Sequence, residues 1–150
     1  MPEKILAYTD GSYFNNKGGW GYVFPHHQIR ASGPVKKKPT NNRAELMAIL
    51  KAMIQARKMD VFEMMIKTDS MYAVNSLSIW IPKWVKQNWK KGSTGKEVEN
   101  KDILEKIWEH MQMIRILPRH VQAHGSDLID PDTYWNEYAD RLAKRGADAS

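Results

Sequence analysis

Two apolar runs in this 150-residue chain close on nearly the same letters: "ILAYTDGS" reaches Asp10 and "VFEMMIKTDS" reaches Asp69. Each reads as a buried strand that ends on an acid. Taken singly, either Asp would be a turn residue, because Asp and Gly suit turn backbones. Between the two runs, the segment from Asn42 to Lys58 places Leu46, Ile49, Leu50 and Met53 at the spacing of one buried helical face. A strand, a crossover helix and a parallel strand in one sheet form a right-handed unit. The chain is therefore constrained to bring Asp10 and Asp69 to one sheet edge, with Glu45 in the first turn of the helix that starts there.

The remaining elements extend this unit. "GGWGYVF" and "QIRASG" read as two further strands joined at Pro25-His26-His27, so the chain opens as an antiparallel meander. After the basic connection "PVKKKPT", helix and second acid-ended strand, "SMYAVNSLSIWI" reads as a short helix leading to Pro82. A Lys- and Trp-rich segment follows, then a helix from about Lys101 to Met113. A strand at "IRILPRHVQA" can join the sheet in parallel, and a polar loop from His124 to Asp132 leads to a last helix carrying "YWNEYADRLAKRGA". His124 then emerges at the acidic edge, and the last helix brings Asp140 to it. The expectation is an α/β domain spanning 1–150.

Composition narrows what such a domain does. Hydrophobic residues make up 42% and charged residues 27%, a globular balance rather than a disordered one. No segment reads as a leader or reaches membrane-spanning length, and there is no cysteine. A soluble, cytoplasmic protein with neither disulfides nor a thiolate zinc site is expected. The formal charge of +6 points to a polyanionic partner. Four carboxylates at one edge without matching cations would repel one another, so the expected occupant is a hard divalent cation. Two such ions can activate a water and stabilise the leaving oxygen of a phosphodiester displacement.

The ordered motifs "YTDGSY" at 8–13, "TNNRAEL" at 40–46, "TDSMY" at 68–72 and "NEYADRLA" at 136–143 resemble those of type 1 ribonuclease H. The resemblance spans nearly the whole chain. It implies a ribonuclease H-like fold: a mixed five-stranded sheet, three strands antiparallel and then parallel ones, flanked by helices. It also implies hydrolysis of the RNA strand of RNA–DNA hybrids, leaving 5′-phosphate and 3′-hydroxyl ends, with two Mg²⁺ or Mn²⁺ ions per site.

Carried over by position, Asp10, Glu45, Asp69 and Asp140 match the metal-binding acids. Asp10 would bridge both ions, Asp140 would belong with the ion that activates water, and Glu45 and Asp69 would hold the ion facing the leaving group. His124 matches a histidine that assists proton transfer or product departure, although the interval from His124 to Asp140 is longer than in bacterial relatives. Gly11, Ser12, Asn16, Asn41 and Asn42 fall where the family contacts RNA. Met71 stands where many relatives carry an RNA-contacting Gln. Thr40 and Asn100 fall at a cradle for a DNA phosphate, and Trp80 at an aromatic that supports the DNA strand.

The segment from Trp80 to Lys101 holds six Lys against two Glu, with Trp84 and Trp89 interleaved. Its lysines, including Lys83, Lys86, Lys90 and Lys91, suit a phosphate backbone. In the resemblance this stretch, about 80–101, is a basic protrusion that grips DNA. The two Trp are expected to pack, and "VKKK" at 35–38 to keep a connection solvated. His26, His27, His110 and His120 read as surface or packing residues. The chain is expected to act as a monomer and to hold the hybrid through this domain itself, no further hybrid-binding domain preceding Met1. Three other readings fit an acidic edge: a resolvase or integrase core of the same broad fold, a hybrid-binding module without catalysis, and a ribonuclease domain serving a polymerase.

Overall fold

The computed structural model describes residues 4–91, 94–123 and 130–149. Its five strands are β1 (Lys4–Phe14), β2 (Lys17–Phe24), β3 (Ile29–Val35), β4 (Glu63–Thr68) and β5 (Arg115–His120), in the sheet order β3-β2-β1-β4-β5. The first three pair antiparallel, while β1–β4 and β4–β5 pair parallel. The mixed sheet is the one anticipated. Pro34 and Pro118 lie in β3 and β5, the two edge strands, where a missing N–H costs no ladder bond on the open side.

β1 does not end at Asp10. It continues to Phe14, with Asp10 opposite Gly21 and Phe14 opposite Lys17. The turn falls at Asn15 and Asn16, whose φ values of 53° and 63° fit a two-residue hairpin that needs the left-handed region twice. What stops near Asp10 is the parallel ladder, whose last pair is Tyr8 with Lys67. Asp10 therefore sits where β1 loses its β4 neighbour and the sheet edge opens.

Helix α1 (Asn41–Lys58) buries the anticipated face, with Leu46, Ile49 and Met53 fully enclosed, and packs over β1 and β2. α4 (Lys101–Met111) lies beside α1 and adds Ile103, Leu104 and Ile107 to the same core. The opposite face is covered by α5 (Pro131–Asp148), whose Ala139 and Leu142 meet Tyr8 and Val23. That contact is close: a Cβ on Gly19 would lie 2.1 Å from backbone atoms of Ala143 and Ala147, so only glycine lets α5 seat. The polar loop expected to Asp132 ends sooner, because Asp130 caps α5 by accepting the Asp132 N–H and Pro131 takes the first turn.

The short helix expected to lead to Pro82 runs on beyond it. α2 (Met71–Asn75) passes into a π-helical turn, Ser76–Trp80, and then α3 (Ile81–Lys86). The Ile81 N–H reaches the Ser76 carbonyl. Widening the turn before Pro82 and placing the ring in the first turn of α3 lets a proline follow helix without breaking it.

Candidate active site

Gly11 builds the floor of the edge. A Cβ there would lie 2.3 Å from the Glu45 backbone nitrogen, so glycine alone allows the start of α1 to press against β1. The Gly11 N–H donates to Asp10 Oδ1 at 3.0 Å and Glu45 Oε1 at 2.8 Å, drawing the two carboxylates together. Asp69 follows β4 directly. Asp10, Glu45 and Asp69 each offer an oxygen within 4.8 Å of the others.

Electrostatics make this triad expensive without a cation. Burial pushes Asp10 far above the usual carboxylate range, and Glu45, Asp69 and then Asp140, which shares a hydrogen bond with Asp10, push it further. Glu45 is raised by burial and next by Asp69, against the lowering effect of its hydrogen bonds with Asp10 and Gly11. Only 3% of Asp10 is exposed. Clustered, oxygen-only donors fit a hard divalent ion.

The acids are not free of cations, contrary to the expectation from sequence. Lys144 lies 3.0 Å from Asp140 Oδ2, one helical turn along α5. Asn136, 2% exposed, donates from Nδ2 to Asp69 Oδ2 at 3.2 Å. Asn136 opens the "NEYADRLA" motif, yet sequence reasoning misses its duty. Its spacing of four from Asp140 is the available signal, since such residues share a helix face.

Below the edge, Asp132 in the first turn of α5 accepts hydrogen bonds from the Tyr8 hydroxyl and from Lys67 Nζ, the latter at 2.8 Å. Partial burial opposes its ionisation, but Lys67 and Tyr8 outweigh it and hold the carboxyl below its usual range. Tyr8 is raised by burial and by Asp132. The trio ties α5, and hence Asn136 and Asp140, to β1 and β4.

The other expected contact residues are spread over several elements. Asn41 and Asn42 are exposed on the first turn of α1, Asn16 accepts from the Tyr13 hydroxyl in the hairpin turn, and Met71 is exposed at the start of α2. Half-buried Ser12 lines a hollow with Lys17 and Lys144. Thr40 caps α1 by accepting the Arg43 N–H, and it shares a 790 Å³ cavity with Asn42 and Asn100. Trp80 lies between Tyr72 and Trp84 with its ring tilted against both, the ring centres 5.7 Å from each. Trp84 and Trp89 pack against the core as expected, and Lys83, Lys86, Lys90 and Lys91 are exposed. Lys37 and Lys38 do more than solvate a connection, for both line the cavity. His124 lies outside the described residues.

A mixed sheet with carboxylates gathered where its parallel ladder ends defines the ribonuclease H-like class. A family model described as RNase H matches residues 2–148, and the chain belongs to that family. It is 34% identical to Ribonuclease H1 of Mus musculus over all of this chain but 52% of the mouse protein, so it spans about half of that relative. It is 32% identical to Ribonuclease H of Rickettsia typhi, over all of this chain and 95% of that protein. Among solved structures, the foamy viral protease-reverse transcriptase in complex with RNA/DNA hybrid matches with a TM-score of 0.80 and 22% identity, over 97% of this chain and 20% of that one.

Proposed function

We propose that this domain is a monomeric cytoplasmic endoribonuclease that cleaves the RNA strand of RNA–DNA hybrids, leaving 5′-phosphate and 3′-hydroxyl ends. The observation that carries the reading is the convergence of Asp10, Glu45 and Asp69 within 4.8 Å in a chain of the RNase H family. Two Mg²⁺ or Mn²⁺ ions held by these acids and Asp140 would supply positive charge to the reacting phosphodiester and to the water that attacks it. The chain's own residues do the positioning. Gly11 fixes the facing oxygens of Asp10 and Glu45, Asn136 orients Asp69, and Lys144 balances Asp140.

Hybrid recognition follows from the surroundings. Asn16, Asn41 and Asn42 present short amides suited to 2′-hydroxyls, which both donate and accept. Thr40 and Asn100 face one cavity with room for a backbone phosphate, and the foamy viral neighbour is itself complexed with an RNA/DNA hybrid. Metal-dependent cleavage of uniformly labelled hybrid, with DNA duplex and RNA duplex left intact, is the expected outcome of a three-substrate assay. Cleavage of DNA duplex instead would move the chain to a resolvase- or integrase-like activity, and binding of hybrid without cleavage in either metal would leave a binding module.

A further inference from the structure

Among the described residues one cationic side chain is buried. Arg43, 5% exposed, lies in the first turn of α1 and donates four hydrogen bonds to three residues. Its Nε reaches the Lys37 carbonyl at 2.8 Å, its two terminal nitrogens reach Asp102 at 2.9 and 2.5 Å, and Nη1 also reaches Asn100 Oδ1 at 3.3 Å. Asp102 is held down to about 2, first by the Arg43 hydrogen bonds, so the pair stays ionised throughout the neutral range. Arg43 thereby joins the basic connection, the start of α4 and the cavity that Thr40 and Asn100 share.

The consequence lies in the amide of Asn100. A side-chain amide can present either its oxygen or its NH₂ to a site, whereas a guanidinium only donates. Arg43 therefore claims the oxygen and forces the NH₂ to the other side, where Nδ2 donates to the Tyr72 hydroxyl at 3.3 Å. The second N–H of that NH₂ has no partner among the described residues. Thr40 likewise uses its oxygen as the α1 cap acceptor, which leaves its O–H to donate. Both side chains are thus set as donors in one cavity.

Donor placement matters here because net charge cannot do the work. The cavity walls carry Lys37, Lys38 and Lys101 but also Glu97, Glu99 and Glu105. A backbone phosphodiester, whose free oxygens only accept, is held in such a mixed field by correctly turned donors. We propose that Arg43, locked by Asp102, is a positioning residue that turns the Asn100 amide so that its NH₂ donates to a phosphate of the DNA strand. This rests on the hybrid reading above and adds to it the device that prepares the phosphate contact.

The test couples the protein change to a change in the substrate. Hybrids carrying one neutral methylphosphonate at successive DNA positions are cleaved by the parent chain, by Asn100→Ala, by Arg43→Lys and by the apolar double variant Arg43→Met with Asp102→Leu. In the parent, one position should raise KM about tenfold with kcat unchanged, the size of one missing charge-assisted bond. Each variant should show that higher KM on unmodified hybrid and no further loss at that position. Arg43→Lys should not rescue, because an ammonium keeps the charge without the fork. An Asn100→Ala variant that keeps the parent KM and the parent position profile overturns the inference, even if the double variant does not fold. So does an undiminished penalty at that position in Arg43→Lys, which reduces Arg43 to a structural role. Cleavage of hybrid by the parent with no sensitive DNA position overturns the inference and leaves the proposed function standing; no cleavage of hybrid removes that function itself.

Discussion

Asp10 is costly to hold in its place in the fold. Its neutral form is favoured by burial and by three neighbouring acids, and Glu45 is shifted the same way. A carboxyl whose folded pKa lies above its unfolded value adds stability below the unfolded value and loses that contribution as pH rises through the folded one. The metal-free protein should therefore lose thermal stability from about pH 5 upwards, and a divalent cation should restore it by binding the ionised form. Asp10→Asn removes one of the repelling charges, so it should flatten this decline, with each kcal/mol relieved raising Tm by about 2–4 °C at this size. It should also abolish cleavage. Melting curves against pH, with and without Mg²⁺, check the first point and a hybrid assay the second; a Tm profile unchanged from the parent, or near-parent turnover, would contradict the assigned environment of Asp10.

At the scale of elements, α5 is placed by three side chains rather than by sequence pattern alone. Tyr8 and Lys67 both end on Asp132, in the helix's first turn, and the same helix carries Asn136 and Asp140. Asp132→Asn should leave the half-buried Lys67 ammonium without its counter-charge and cost about 1–2 kcal/mol, a partly screened figure because the pair retains contact with water. Because the depressed carboxyl acts above its unfolded pKa and fades as pH falls through the folded one, the gap between parent and variant should close in acid, below the ordinary carboxylate range. Urea melts at neutral and acid pH measure this, and equal stability at pH 7 would show that α5 is held by its apolar face alone. Much of this layer is legible in the letters. The spacing in α1 and the two Thr-Asp endings carry the parallel unit, because periodicity and crossover handedness are local rules with global results. The true length of β1 is not, since Asp10-Gly11-Ser12 has turn chemistry while the actual turn, Asn15-Asn16, carries no glycine. Nor is the passage through Pro82, which depends on a π turn that no residue type announces.

At the scale of the whole molecule, charge divides between an acidic cluster of Asp10, Glu45 and Asp69 and a set of exposed lysines. The acids converge at the sheet edge, and that convergence can be argued from the sequence because the two Thr-Asp runs and the crossover helix between them bring Asp10, Glu45 and Asp69 together. The pairs Arg43–Asp102, Lys67–Asp132 and Arg30–Tyr138 cannot, since each joins positions 59 to 108 residues apart with no local signature. The lysine-rich stretch lies between these cases: its charge is plain in the letters, and the structure adds that Lys83, Lys86, Lys90 and Lys91 stand exposed, with Lys91 beside the Tyr72, Trp80 and Trp84 row. None of the four forms an ion pair among the described residues, so neutralising them breaks no internal salt bridge there. Changing all four to Gln should leave Tm and the rate at saturating hybrid nearly unaltered and raise KM. It should also reduce the slope of log affinity against log salt by about 0.9 for each phosphate no longer neutralised, on the B-DNA rule. Binding titrations across a salt series compare the slopes directly. Parallel lines for parent and variant would assign these lysines to a solvated face and leave the Thr40–Asn100 cavity and the asparagines to hold the hybrid, whereas a shallower variant line with an unchanged turnover rate separates grip from chemistry in this domain.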